Sequence, residues 1–236
     1  MKITDLQCLY LRLPQVEAIA SGVQDALILL IHTDEGVTGI GEADSSPSVI
    51  RAIVEAPMSH SLAAGLRHLL VGEDPLERER LWRKLYEGTY YFGRRGAVLH
   101  ALSAVDMALW DIAGKVAGLP IFRLLGAHYR DRVRAYGSVL FPETPEEARK
   151  KAESLFEKGF TAVKFGWGGF GKDWKKDVAF VRALREAAGD DRDILIDAGM
   201  CWDAATSIRM VYELAPYRPF WLEEPLSADD LDGYRR

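Results

Sequence analysis

The pattern of hydrophobic and polar residues changes twice along this chain, and each part predicts a different structure. Residues 6–13, LQCLYLRL, and residues 26–43, ALILLIHTDEGVTGIGEA, alternate with the period of two that is typical of half-buried strands. The sequence Asp-Glu-Gly at 34–36 supplies a turn inside the second segment. We therefore predict three strands at the start of the chain, with a loop over residues 14–25 between the first two.

From residue 47 to about 125, hydrophobic residues recur at spacings of three and four, which predicts amphipathic helices. The segment 97–118, AVLHALSAVDMALWDIAGKVAG, carries the longest such stripe. Asp74 followed by Pro75 predicts the start of another helix, with a capping residue and then a proline in the first turn. Residues 1–128 are therefore predicted to form one α+β domain.

After residue 129, short apolar runs alternate with amphipathic segments. This alternation indicates parallel βαβ units, in which helices cover the strands. A complete eight-stranded (β/α) barrel takes about 250 residues, so residues 129–236 predict the first half of a TIM-like barrel, truncated after the fourth strand. The predicted strands are 133–140, 161–166, 193–199 and 219–225.

Ionisable residues stand at the ends of three successive predicted strands: Lys164, then Asp197, then the pair Glu223 and Glu224. The carboxyl ends of parallel strands meet at one edge of a sheet, and neighbouring strands lie about 4.8 Å apart. Two carboxylates at that spacing suit a hard divalent cation, most naturally Mg²⁺. Each residue taken alone could instead cap a helix or form a structural ion pair.

Composition narrows the class of protein. Of the 236 residues, 48% are hydrophobic and 28% charged, which is typical of a globular chain with a core, and the net charge of −5 argues against a nucleic-acid partner. Two cysteines far apart match no metal or redox spacing. No uninterrupted apolar segment reaches the roughly 20 residues of a membrane span. We expect a cytoplasmic protein without a membrane or nucleic-acid partner.

Several motifs in order resemble the mandelate racemase and muconate lactonizing branch of the enolase superfamily. Residues 27–43 resemble a hairpin of that family's capping domain, and residues 101–126 resemble its cap helix and linker. LIDAGMCW at 195–202 and WLEEPL at 221–226 are similar to the endings of its third and fourth barrel strands. The resemblance runs along nearly the whole chain and implies a capping domain followed by a barrel.

The resemblance implies that Asp197 and Glu223 are Mg²⁺ ligands and that Glu224 lies next to these ligands without binding the metal itself. Lys164 matches the first lysine of the family's Lys-x-Lys element, so it is the candidate catalytic residue. Two positions depart from the family pattern, since Gly166 replaces the second lysine, the usual proton-abstracting base, and Gly199 replaces an asparagine. Either Lys164 is the base, or it stays charged and binds the substrate while the base comes from elsewhere.

The implied chemistry is Mg²⁺-dependent abstraction of a proton α to a carboxylate, with dehydration of a sugar acid (an aldonate or aldarate) as the preferred reaction. Two alternatives stay open. One is a racemase or epimerase of a hydroxy acid, and the other is a non-catalytic interaction module. The family's third metal ligand and its acid–base pair belong to later strands. We therefore expect a lyase in the full-length form, inactivity of this chain alone, and a homo-oligomer.

Overall fold

The computed structural model describes residues 1–18, 24–126 and 128–236. Residues 19–23, which belong to the loop predicted over 14–25, lie outside the described residues. The described residues before Arg132 form one compact unit, and Arg132–Arg236 form a second. Each unit has a hydrophobic core of its own.

The first unit is built on an antiparallel sheet of three strands in the order β1-β2-β3. The turn between β2 and β3 uses Gly36 with a φ of +78°, as the hairpin pattern predicted. Helices cover one face of this sheet. The elements are β1 Ile3–Arg12, β2 Asp25–Thr33, β3 Thr38–Ala43, α1 Pro47–Glu55, α2 Leu66–Leu70, α3 Arg78–Gly88, α4 Ala97–Ala117 and α5 Ile121–Leu124.

Helix α4 is the central helix of this unit, and its predicted stripe is confirmed. Of the predicted stripe, Leu102, Val105, Leu109 and Ile112 are buried in the core, and Leu99 is half-buried against it. The helix is long and apolar enough to cross a membrane by length and composition, with a mean hydropathy of 1.3. Just over half of that apolar stretch is buried inside the fold, however, which is typical of the core helix of a globular domain.

The predicted helix start at Asp74 is wrong. Helix α3 begins only at Arg78, because the Asp74 side chain accepts a hydrogen bond from the Leu76 N–H and its carbonyl accepts one from the Glu77 N–H. These bonds close a turn ahead of the helix. A short polar residue followed by proline therefore marks the turn here, and the helix follows it.

The second unit contains a parallel sheet of four strands in the order β4-β5-β6-β7, which confirms the predicted βαβ alternation. The strand predicted over 133–140 is shorter than expected and spans only its last four residues. The elements are β4 Gly137–Leu140, α6 Pro145–Glu157, β5 Ala162–Gly166, α7 Trp174–Ala188, β6 Asp193–Asp197, α8 Ala204–Leu214, β7 Trp221–Glu223 and α9 Leu231–Arg235.

Each long helix of the second unit starts at a side chain that caps it. Thr144 and Glu147 form a reciprocal capping box at α6. Asp173 and Asp203 accept hydrogen bonds from the first-turn N–H groups of α7 and α8. Each cap fixes the residue at which its helix begins. It therefore also fixes the residue at which the preceding loop ends.

Alternation along the parallel strands separates two faces of the sheet. Val163, Phe165, Ile194 and Ile196 lie in the core with α6, α7 and α8. The alternate residues of each strand project from the opposite face. Lys164 on β5, Asp197 on β6 and Glu223 on β7 lie on that face.

Candidate metal and acid–base site

Strand register brings the candidate residues to one edge of the sheet. Gly166 pairs with Asp197, and Asp197 pairs with Glu223, so the last residues of three parallel strands stand side by side. Lys164 lies two residues before the end of β5 and on the same face as Gly166. The long lysine side chain can therefore extend along its strand toward the two carboxylates.

The ammonium group of Lys164 lies between the two carboxylates. Its Nζ is 3.3 Å from Asp197 Oδ2 and 3.0 Å from each carboxylate oxygen of Glu223. The side chains of Lys164 and Asp197 are only 14% and 10% exposed, whereas that of Glu223 is 39% exposed. Two acidic groups and one cation thus share a partly buried cluster that opens to solvent on the Glu223 side.

The charges in this cluster change the proton affinity of its members. Burial lowers the pKa of Lys164, but the hydrogen bonds and charges of Glu223 and Asp197 outweigh it, and the net pKa lies above its ordinary value. Burial raises the pKa of Glu224, and the negative charges of Asp197 and Glu223 raise it further. Lys164 is therefore protonated at neutral pH, and Glu224 takes up a proton more readily than an ordinary glutamate does.

Two glycines stand against Asp197. A Cβ at Gly166 would lie 2.6 Å from Asp197 Cβ and 2.9 Å from its Cγ, so the aspartate occupies the space that a side chain at 166 would need. On the other side, the Gly199 N–H donates a hydrogen bond of 3.1 Å to Asp197 Oδ1. One oxygen of Asp197 thus accepts from the backbone, and the other contacts Lys164.

The loops after the three strands contain an unusual set of backbone conformations. Trp167, Met200 and Glu224, which follow β5, β6 and β7, all have positive φ values, of 53°, 57° and 36°. Such conformations cost non-glycine residues roughly 1–3 kcal/mol each and concentrate at functional sites. Their occurrence at three adjacent strand ends therefore adds to the argument for a site at this edge.

The donor set has the chemistry of a magnesium site but not its full number of ligands. Carboxylate oxygens are the protein ligands that Mg²⁺ prefers, and Lys164 marks a point that both carboxylates reach. Within residues 1–18, 24–126 and 128–236, no three His, Cys, Asp or Glu side chains are grouped to hold a metal ion. Asp197 and Glu223 would supply two ligands, and water or other groups would supply the rest.

Comparison with known proteins identifies the family. The sequence profile of the mandelate racemase / muconate lactonizing enzyme N-terminal domain matches residues 7–126, and that of the enolase C-terminal domain-like family matches residues 147–236. The chain belongs to the mandelate racemase and muconate lactonizing enzyme family of the enolase superfamily. Its fold is accordingly that superfamily's capping domain joined to its C-terminal domain, and magnesium binding is typical of the family.

Similar proteins include enzymes of sugar-acid metabolism. L-talarate/galactarate dehydratase of Salmonella typhimurium is 35% identical over 210 residues, which cover 88% of this chain and 50% of that enzyme. A crystal structure of a predicted mandelate racemase from Rhodobacter sphaeroides superposes with a TM-score of 0.88 at 31% identity, covering 99% of this chain and 60% of the other. A Streptomyces coelicolor racemase with bound magnesium gives 0.85 at 29% identity, over 98% and 64%.

This member of the family spans about half the length of the curated relatives it matches. Several of those relatives are named as dehydratases of sugar acids.

The structure brings Lys164, Asp197 and Glu223 together, and the pKa of Glu224 responds to the charges of the two other acids.

Two further residues of this edge escaped the sequence analysis. Trp167 lies against Gly199, and its position inside a run of glycines is the signal that could have drawn attention to it. Asp177 lies on the apolar stripe of α7, where an acid is out of place. It is fully buried, and its Oδ1 accepts from the Gly171 N–H at 2.9 Å, while Oδ2 has no partner among the described residues.

Proposed function

We propose that this chain supplies the cation- and substrate-binding edge of an enzyme that removes a proton α to a carboxylate and dehydrates a sugar acid. The observation that carries the proposal is the position of the Lys164 ammonium between Asp197 and Glu223. In this proposal, Asp197 and Glu223 are the Mg²⁺ ligands, and the parallel sheet is the first half of a (β/α) barrel that begins near residue 129, after a capping domain.

A bound Mg²⁺ would supply Lewis-acid stabilisation of the negative charge that develops on the substrate carboxylate. Lys164 provides a positive charge beside the two acidic ligands, so it binds and orients that carboxylate. Gly166 has no side chain that could take a proton, and a lysine at that position would collide with Asp197. Because Lys164 is protonated at neutral pH, we assign the proton abstraction in this proposal to a group other than Lys164 and residue 166.

In the dehydration, the C2–H bond breaks and its proton goes to the base, while the C3–O bond breaks and the hydroxyl leaves with a proton as water. The resulting enol takes up a solvent proton at C3, loses its C2 hydroxyl proton to solvent, and becomes a 2-keto-3-deoxy acid. One-sided proton abstraction is sufficient for this reaction. A racemase needs proton transfer on both faces of C2, and Gly166 removes one of the side chains that could provide it.

The test is to incubate the protein, in the longest form that its gene encodes, with MgCl₂ and a panel of aldonic and aldaric acids in D₂O. We expect a 2-keto-3-deoxy product carrying one solvent deuterium at C3, detected by mass spectrometry and NMR. Deuterium at C2 without a keto acid would replace the dehydratase by a racemase or epimerase. A chain that neither turns over a substrate nor binds a divalent cation would be a non-catalytic module.

A further inference from the structure

The side chain of Trp167 covers the backbone that holds Asp197. A Cβ at Gly199 would lie 2.9 Å from Cδ2 and 3.1 Å from Cε2 of the indole, so the ring rests on the face of Gly199 from which a side chain would project. Gly199 has a φ of +58° and points its N–H at Asp197 Oδ1. The indole therefore restricts the peptide whose N–H fixes the carboxylate.

Trp167 is itself held in place by the neighbouring loop. The backbone N–H of Trp167 donates to the Asp197 carbonyl at 3.3 Å, and the backbone carbonyl of Trp167 accepts from the Phe170 N–H at 3.1 Å. Its left-handed φ of +53° turns the chain sharply after β5. A bulky residue in this conformation between two glycines is strained, and strain of this kind persists only where the surrounding structure enforces it.

We infer that Trp167 is a positioning residue that fixes the Asp197 carboxylate by pressing its indole against Gly199. The inference rests on the proposed function, in which Asp197 is a metal ligand. It also gives a physical reason for the departure at position 199. Asparagine tolerates a left-handed φ, so backbone strain does not exclude it there, but its Cβ would collide with the indole.

The effect of Trp167 is separable from a general effect of removing a tryptophan. Trp174, in the first turn of α7, is exposed to the same extent, with 38% for each residue. Its indole contacts the cationic groups of Lys175 and Arg209, whereas the three atoms nearest to a Cβ at Gly199 all belong to Trp167. Trp174→Ala is therefore a matched control for Trp167→Ala.

The experiment measures two quantities on the full chain. The first is Mn²⁺ affinity, from an electron paramagnetic resonance titration, with Mg²⁺ as competitor. The second is the hydrogen-exchange rate of the Gly199 amide in the absence of metal. Removing groups that orient a metal ligand typically weakens metal binding by about 10–100-fold. We expect W167A to lose about tenfold in Mn²⁺ affinity and to exchange the Gly199 amide at least about tenfold faster. W167F should lie between W167A and the wild type, and W174A should match the wild type within about twofold.

A reciprocal pair of variants supplies a rescue test. Gly199→Asn alone should weaken Mn²⁺ binding, because its side chain meets the indole. Combining it with Trp167→Ala removes the collision, so the double variant should bind Mn²⁺ more tightly than G199N alone. Residues in contact show such non-additive effects, whereas independent losses would add.

The inference would be overturned if W167A and W167F bound Mn²⁺ as tightly as the wild type and protected the Gly199 amide from exchange equally well. It would also be overturned if the losses in Mn²⁺ affinity of the two single variants simply added in the double variant. Absence of saturable Mn²⁺ binding to the wild type would overturn the proposed metal site instead. In that case the Gly199 exchange rates still decide whether Trp167 orders the backbone beside Asp197.

Discussion

Glycines in the two sheets look alike in the sequence and meet different neighbours in the structure. In β3, a Cβ at Gly39 or Gly41 would collide with backbone oxygens of α4, at Ala108 and Ala104. In the parallel sheet, a Cβ at Gly166 would meet the side chain of Asp197. The first pair lets a helix approach a strand closely, and Gly166 leaves room for a functional side chain.

This difference separates residues that hold the fold from residues that shape the site. A backbone oxygen of a buried helix cannot move without moving the helix, so substitution in β3 should act on stability. The atoms that a Cβ at Gly166 would meet all belong to the Asp197 side chain, so substitution at 166 should displace that carboxylate and act mainly on binding. We therefore expect substitution of a β3 glycine to lower stability more than metal affinity, and substitution of Gly166 to lower metal affinity more than stability.

The largest expected effect is on stability, at Gly41. Gly41→Ala forces a collision with the Ala104 carbonyl, so the free energy of unfolding should fall by about 3 kcal/mol or more, measured by urea denaturation. Gly72→Ala is the control, because Gly72 has a φ of +88° but open space around its Cβ position, and backbone strain alone should cost about 1–2 kcal/mol. Equal losses in the two variants would contradict the packing role of Gly41.

The second effect is on cation binding, at Gly166. Gly166→Ala and Gly166→Lys should each lower Mn²⁺ affinity by about tenfold or more, because the new side chain displaces Asp197. The free energy of unfolding should fall by less than in G41A. A G166K variant that kept its affinity and exchanged substrate C2 protons with solvent would show that position 166 has room for a base.

Much of the second unit could be predicted from sequence because its signals are local. Thr144, Asp173 and Asp203 precede apolar stripes and cap the helices in the way that their spacing indicates. The strands that carry Lys164 and Asp197 follow from short apolar runs. These features depend on neighbours within a few residues of the chain.

The features that escaped sequence reasoning depend on distant neighbours. The indole of Trp167 reaches Gly199, and Gly171 donates to the side chain of Asp177. The start of β4 is likewise set by pairing with another strand, since its first paired residue is Gly137, opposite Val163. No pattern within one segment specifies such contacts.

A third effect tests whether Lys164 compensates the charge of the two acids. Lys164→Met leaves Asp197 and Glu223 facing each other, so the free energy of unfolding at pH 7 should fall by about 1–2 kcal/mol, a value reduced by the exposure of Glu223. Added Mg²⁺ should restore more stability to this variant than to the wild type. Lys151→Met on the exposed face of α6 is the control and should change neither quantity.

The smallest effect is a pH dependence from Asp177. Burial raises the pKa of this carboxyl to about 6 in the folded protein, above its ordinary value of 3.8. Its stabilising contribution is therefore full below about pH 4 and is lost as the pH rises through about 6. The nearby charged groups are Asp173, which raises the pKa, and Lys176, which lowers it.

Asp177→Asn should remove this pH dependence. Urea denaturation between pH 4 and 7 should give a flatter profile for the variant than for the wild type, whereas Asp229→Asn, at an exposed site, should leave the wild-type slope. An unchanged slope in D177N would show that this buried acid does not ionise within the range.

The most direct test of the account is the binding of a divalent cation by Asp197 and Glu223. Titration of the full chain with Mn²⁺, followed by electron paramagnetic resonance with Mg²⁺ competition, should give one saturable site per chain. Asp197→Asn and Glu223→Gln should each weaken that site by about tenfold or more. Glu213→Gln, which changes an exposed glutamate of α8, should not. Saturable binding that survives both site substitutions, or no saturable binding to the wild type, would contradict the account.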